Sequence, residues 1–338
     1  MKIFQRLLVA PAALGLIAPM AANADNAFSS TTSLSGSAVF TTGSVTDGGT
    51  TDEENETYMQ YAYGIDLNSS FTGKDLFYAG MEAGNASGPL SNMDSATSTT
   101  GNALTVHSLF YSFPIGDLEV TTGPLVDQDD VVAATPSAYS DAFRLGAMPY
   151  SLAGNETGPG IGVTYSSDNG IVSSASFVSP DGNNASKGIN SGTGDDVATF
   201  TLGYNGDGFG GGLVYASNDG NNAATTGYDA FGAGIYYNPE SFDATISVAW
   251  DSKNTDTTFE SDWFIGVDVA AGPGTLSAGY NQTDVNNSTD LDQAGFEVSY
   301  AYPVNDSLTV TPGFFTVEET TAGKEDDAGA VIEAVFSF

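Results

Sequence analysis

Alternation with a period of two, renewed along the whole chain, limits what this sequence can fold into more than any other feature. Between residues 57 and 68, Met59, Tyr61, Tyr63, Ile65 and Leu67 share one parity; Gln60, Ala62, Gly64, Asp66 and Asn68 share the other. A strand sends successive side chains to opposite faces, so this segment is apolar on one side and polar or small on the other. Phe242, Ala244, Ile246, Val248 and Trp250 oppose Asp243, Thr245, Ser247 and Asp251 in the same way. Phe259, Trp263, Ile265, Val267 and Val269 oppose Glu260, Asp262, Gly266 and Asp268. Phe296, Val298, Tyr300 and Tyr302 oppose Gly295, Glu297 and Ser299. No helical period competes with these segments.

Sixteen segments read as strands: 31–42, 58–68, 75–83, 102–113, 116–124, 160–166, 171–178, 196–204, 208–216, 228–238, 242–251, 259–270, 274–281, 292–302, 306–317 and 328–338. Connections after the odd strands are long, the longest at 125–159; those after the even strands are short, such as Asn205-Gly206-Asp207 and Gly272-Pro273. A secreted β-sandwich also alternates, but it has no reason to keep every long loop at one end. Lipid cannot hydrogen-bond a backbone, so a spanning sheet must close. Sixteen strands leave an aqueous channel, where about eight are filled by side chains or one ligand. The expected fold is therefore all-β, a transmembrane antiparallel β-barrel of about 16 strands with short periplasmic turns and long extracellular loops. Tyr58, Tyr78, Phe113, Tyr165, Tyr204, Tyr237, Phe242 and Tyr280 lie near strand ends and are candidates for interfacial girdles.

The N-terminus has the form of an export signal. Lys2 and Arg6 precede an apolar stretch from Leu7 to Pro19, and Ala22-Asn23-Ala24 supplies a small-x-small cleavage site. Cleavage after Ala24 leaves 25–338 as one barrel domain with 42 acids against five bases, a formal charge of −37. So few Lys and Arg exclude a nucleic-acid binder, which needs basic patches against phosphate. The chain has no cysteine, which excludes disulfides, thiolate catalysis and Cys-based metal sites. His107 stands alone, so neither a His pair for a metal nor a serine triad has support. Gly208-Phe209-Gly210-Gly211-Gly212 sits in a strand with no helix after it, which argues against a phosphate cradle. The runs Asp52-Glu53-Glu54 and Glu325-Asp326-Asp327 read as solvated loop acids. No residue set points to an enzyme, and no cofactor is expected.

Several short runs resemble one family in order and spacing. They are Phe71-Thr72-Gly73-Lys74-Asp75-Leu76, Leu109 to Asp117, Gly123-Pro124-Leu125-Val126-Asp127-Gln128-Asp129-Asp130, Pro136-Ser137-Ala138-Tyr139 and Gly158-Pro159-Gly160-Ile161-Gly162. Together they resemble the barrel of cyanobacterial-type porins in the carbohydrate-selective (OprB-type) porin family, most closely from about residue 60 to 180. The resemblance implies an outer-membrane channel, a homotrimer, passing small hydrophilic solutes or inorganic ions. It implies too that the loop after the fifth strand folds into the lumen. The family's N-terminal surface-layer-homology domain has no counterpart before the first strand. Basic residues that the family carries near Leu125 to Asp127 are replaced here, which weighs against a sugar or anion preference.

The candidate constriction is therefore 125–159, with Asp127, Asp129, Asp130, Asp141 and Arg144 as selectivity residues. Carboxylates lining a water-filled pore favour cations. The alternative is an acidic surface loop that never enters the pore. Clustered carboxylates at 127–130 suit calcium as well, but no twelve-residue EF-hand pattern is present, and no metal is assigned. The terminal Phe336 and Phe338 close an alternating strand and read as an assembly signal. The expected function is a passive, cation-preferring outer-membrane channel, with lipid and small solutes or ions as partners. A carbohydrate-selective channel, or a structural or adhesive barrel with no open pore, is the alternative.

Overall fold

Sixteen strands form where the alternation is read: β1 (Thr32–Thr46), β2 (Tyr58–Ser69), β3 (Leu76–Gly84), β4 (Thr105–Ile115), β5 (Leu118–Asp127), β6 (Thr157–Ser166), β7 (Ile171–Val178), β8 (Val197–Asn205), β9 (Phe209–Asn218), β10 (Tyr228–Tyr237), β11 (Ala244–Thr255), β12 (Phe259–Ala271), β13 (Gly274–Asn286), β14 (Gln293–Asn305), β15 (Leu308–Val317) and β16 (Asp327–Ser337). The computed structural model describes residues 31–46, 56–96, 102–134, 139–140, 156–220, 226–239, 243–286, 292–318 and 326–338. The export signal, Asp141, Arg144, Phe242 and the Asp52-Glu53-Glu54 run lie outside the described residues. Each strand pairs antiparallel with the next, and β1 pairs with β16, so the sheet closes with no edge. Closure satisfies every ladder that an open sheet would leave unpaired.

The faces are inverted relative to a soluble protein. Ile235 is 64% exposed and Phe200 53%, and Met59, Ile161, Leu202 and Ile332 point outward with them. Ser37, Thr41, Ser108, Ser112, Thr121, Thr199, Thr201, Glu297 and Glu333 are buried at inward positions. An outward face that is apolar strand after strand is stable only against lipid. The assignment of the candidate girdle divides. Tyr165, Tyr204 and Tyr237 are exposed on the outside, but Tyr78 is buried inside, its hydroxyl donating to Asp66 at 2.5 Å. Tyr58 also turns inward, its hydroxyl 2.9 Å from the Ser87 carbonyl. Proximity to a strand end did not decide these two; parity did.

β1, β11 and β13 run past their expected ends on the long-loop side, which shortens the β11–β12 connection to 256–258. Alternation stops where lipid stops, whereas ladder pairing continues into water. For the same reason Asp327, expected in a loop, opens β16 opposite Val317. Register shifts interrupt β3–β4, β4–β5 and β5–β6, at Gly80/Met81, Leu109/Tyr111 and Gly123/Val126. A bulge bends its strand and increases local twist, and these three flank the place where the longest loop leaves the wall. At the opposite end, the turn after β2 is tied to Asp75, which accepts from Ser70 Oγ, Thr72 Oγ1, and the Phe71 and Thr72 N–H groups at 2.7–3.0 Å, and from Tyr111 at 2.5 Å. Burial alone would raise its pKa, but these hydrogen bonds prevail and hold the carboxyl well below the usual carboxylate range.

Candidate functional site: two loops inside the barrel

The β5–β6 connection does not stay at the rim. It leaves β5 through a 3-10 turn, Gln128–Val131, whose Gln128 Nε2 donates to Thr199 Oγ1 on β8 at 2.8 Å. Ala133 N–H donates to Ser174 Oγ on β7 at 3.2 Å. Val131 packs with Tyr78, Phe110, Val126 and Val178, and Val132 packs with Val214, Ala216, Tyr228 and Ala230. Farther along, Tyr139 packs on Ala249 and Phe264 and donates to Glu297 Oε1 on β14 at 2.8 Å. Ser140 N–H reaches Asp268 Oδ2 at 3.0 Å, and its hydroxyl lies 2.7 Å from Ser277 Oγ. The described parts of the loop thus touch the inner wall at two places: residues 128–134 on β7 to β10, and Tyr139 and Ser140 on β11 to β14.

Missing side chains make room for it. A Cβ on Gly203 or on Gly212 would stand 2.8 Å from the Ala134 Cβ, and one on Gly266 or Gly279 would stand 2.5–2.9 Å from the Tyr139 ring or hydroxyl. Real Cβ atoms do not come so close, so glycine is what lets the loop lie flat on the wall. Gly212 is the one member of the Gly-rich run at 208–212 that seats this loop; Gly210 and Gly211 face Tyr236, Gly234 and Ile235 of β10 instead. Gly212→Val suits a strand but overpacks the seat, at about 1–3 kcal/mol. It is expected to lift the loop while leaving the barrel assembled, seen as faster proteolysis within 128–156 at unchanged circular dichroism.

A second connection, between β3 and β4, expected as an extracellular loop, also turns inward. Its 3-10 turn, Gly88–Asn92, places Leu90 and Met93 among Val45, Phe315, Val317 and Val331. Gln60 Nε2 on β2 donates to the Leu90 carbonyl at 2.7 Å, and Leu90 N–H donates to the Tyr58 hydroxyl at 2.7 Å. Ser95 donates to buried Glu333 on β16, which also accepts from Thr41 Oγ1 at 3.1 Å. Two signals were available. Leu90 and Met93 are apolar residues in an otherwise polar loop, and Gln60, Glu297 and Glu333 are long polar side chains at inward positions where small ones prevail.

Of the sequence-derived selectivity residues, Asp127 and Asp129 are buried at the root of the β5–β6 loop and Asp130 is half-buried beside them. Asp127 caps the 3-10 turn and accepts from Thr157 Oγ1 at 3.0 Å; Asp130 Oδ2 accepts the Asp127 N–H at 2.9 Å. Burial pushes the Asp130 carboxyl up to about 7, the Asp127 charge adding to it. Glu156, where the loop returns, is raised by burial and by the charge of Asp195. Asp66, Asp262 and Asp268 are half-buried at inward positions on β2 and β12. Lys253, on β11, holds its ammonium 4.4 Å from the centre of the inward Tyr228 ring. His107 lies against Gly80, its Nδ1 3.2 Å from Ser108 Oγ. At the seam, Phe338 and Gly36 exchange backbone hydrogen bonds at 3.0 and 3.1 Å, and the Phe338 ring stacks on Tyr63.

No protein-family model and no curated protein matches the chain. Solved structures do. OmpT of Vibrio cholerae, an outer-membrane protein in a trimer form, has a TM-score of 0.65 at 12% identity, over 91% of this chain and 99% of that one. Pseudomonas putida OprB gives 0.66 at 11%, over 91% and 94%. A mutant of the Rh. blastica porin gives 0.60 at 17%, over 91% and 100%. The chain therefore has the fold of these outer-membrane barrels: a closed, antiparallel, sixteen-stranded barrel over nearly its whole described length.

Proposed function

We propose that this chain is an outer-membrane porin, exported by a cleaved signal, through which small hydrophilic solutes or inorganic ions diffuse passively, with a preference for cations. The observation that carries the reading is the inverted polarity of a sixteen-strand closed sheet, apolar outside and lined with hydroxyls, glycines and carboxylates inside. A barrel of this size leaves room for water, and the likeness to porins and to the trimeric Vibrio protein favours a homotrimer in outer-membrane lipid. The reading assigns no catalytic residue. Cation preference rests on the inward acids Asp66, Asp262 and Asp268 and on the acidic loop root, against Lys253 as the inward base among the described residues. Asp127, Asp129 and Asp130, being wholly or half buried, act on ions through their field rather than by contact; Asp141 and Arg144 complete the proposed constriction. Low-dielectric walls focus such a field, and salt screens it.

Reversal potentials in a potassium chloride gradient test this. The expected result is cation preference that fades as salt rises, and a smaller preference when Asp127, Asp129 and Asp130 are all replaced by Asn. Anion preference would reject the reading. An unchanged reversal potential in the triple variant would assign selectivity to the wall acids instead. One observation favours a second reading, a structural barrel: two loops, not one, occupy the lumen. Absence of ion conductance from correctly assembled protein would decide for it.

A further inference from the structure

The root of the β5–β6 loop concentrates more carboxylate than its surroundings can keep charged. Asp127, Asp129 and Asp130 fall within four residues, the first two buried. Asp127 Oδ1 and both oxygens of Asp129 are closed off from solvent and lack a well-formed hydrogen bond, the Asp129 carboxyl having only its own N–H and the Asp127 carboxyl within reach. The neighbouring groups do not relieve this. Asp130 shares the turn, Tyr78 on β3 feels the Asp130 charge, and Glu156 feels Asp195, Lys253, Asp127 and Asp181 in turn. Lys253 is the lone cation among them, and it sits over the Tyr228 ring. A proton on Asp129 removes one of two adjacent buried charges and supplies a donor to the Asp127 oxygen that lacks one.

We propose that Asp129 is a buried proton-binding group whose proton is donated to Asp127, and that this hydrogen bond holds the β5–β6 loop against the barrel wall. A hard metal ion would need six or more oxygen ligands, and the described residues bring no three acidic or histidine side chains into a metal-holding group. The leverage is short. Val131, two residues past Asp129, fills the space over Gly162, and Ala134 is wedged against Gly203 and Gly212. Charge at Asp129 that must find water draws the turn away from the wall and those contacts with it. Burial first, then the Asp127 charge, raises the Asp129 carboxyl well above its ordinary value. The docked loop therefore binds the proton more tightly than an undocked loop does. Docking is complete below the free carboxyl's pKa of about 4 and weakens as pH rises through the raised, docked-state value. This proposal depends on the loop's place in the barrel, not on the barrel being an open channel.

The absence of cysteine makes a clean test possible. Ala134→Cys places one thiol at a fully buried point of the loop. Its labelling by a water-soluble maleimide is followed from pH 5 to pH 9 in assembled barrels. Each rate is divided by that of the same reporter in an Asp129→Asn background, which cancels the titration of the thiol itself. The expected result is a ratio that rises about tenfold or more across this range, because a docked carboxyl that holds its proton one pH unit longer than a free one changes the docking equilibrium about tenfold. A flat ratio overturns the proposal. So does a change in labelling at fixed pH on adding calcium or EDTA, which would identify a metal in place of the proton. If Asp129→Asn does not assemble, Asp127→Asn serves as the background. Failure of both overturns the proposal, because the neutral amide stands in for the protonated acid.

Discussion

Replacing Tyr139 with alanine is expected to free the far end of the β5–β6 loop and to raise single-channel conductance, with the barrel itself intact. Tyr139 is fully buried, spans from Phe264 to Glu297, and rests where Gly266 and Gly279 leave no side chain. Truncating a buried aromatic costs about 3–5 kcal/mol, a loss that falls on loop docking because the strand ladders do not involve this side chain. Tyr139→Phe separates the contributions. It keeps the ring and loses the hydrogen bond to a buried carboxylate, worth about 1.5–3 kcal/mol. The expected order of conductance and of loop proteolysis is therefore wild type, then Phe, then Ala. Conductance and proteolysis unchanged in both variants would show that the loop is held elsewhere.

Deleting Phe338 is expected to cut the yield of assembled barrel about tenfold or more, from the loss of two seam hydrogen bonds worth about 1 kcal/mol each, more in lipid where no water replaces them. Those bonds join Phe338 to Gly36 across the β1–β16 seam, and the ring covers the Gly36 backbone where a Cβ would stand 2.9 Å away. Phe336, 5.2 Å from Phe40, supports the same seam one pair farther in. Heat-modifiable gel mobility of the membrane fraction measures the assembled share. Phe338→Tyr, which keeps both backbone bonds and the ring, should assemble nearly normally. Full assembly of the truncated chain would make the terminal residue incidental.

The barrel was legible in the sequence because its determinants are local. Alternation is a property of neighbouring residues, and lipid outside with water inside makes it persist for sixteen strands. Met59 to Leu67 and Ile246 to Trp250 point outward as read, and Thr199, Ser247 and Glu297 point inward. Turn chemistry between strands is equally local, so the strand count and the long–short rhythm followed directly. Strand ends at the long-loop side did not, because pairing outlasts the lipid that imposes the pattern.

What the chain by itself determined, then, was the closed wall and its polarity; what only the tertiary structure decided was what stands inside it. Tyr139 and Glu297 meet across 158 positions, and Ser95 and Glu333 across 238. No periodicity links such residues. A buried carboxylate and an exposed one look alike in a sequence, so the burial of Asp127 and Asp129 at the root of the β5–β6 loop could not be read there. Gly203 and Gly212 on β8 and β9 seat Ala134, Gly266 and Gly279 on β12 and β13 seat Tyr139, and the two seats serve one loop only because curvature turns both strand pairs toward the same lumen. The physical reason is range: side-chain alternation is set by the next residue, whereas the fit of a loop to a wall is set by atoms that closure alone makes neighbours.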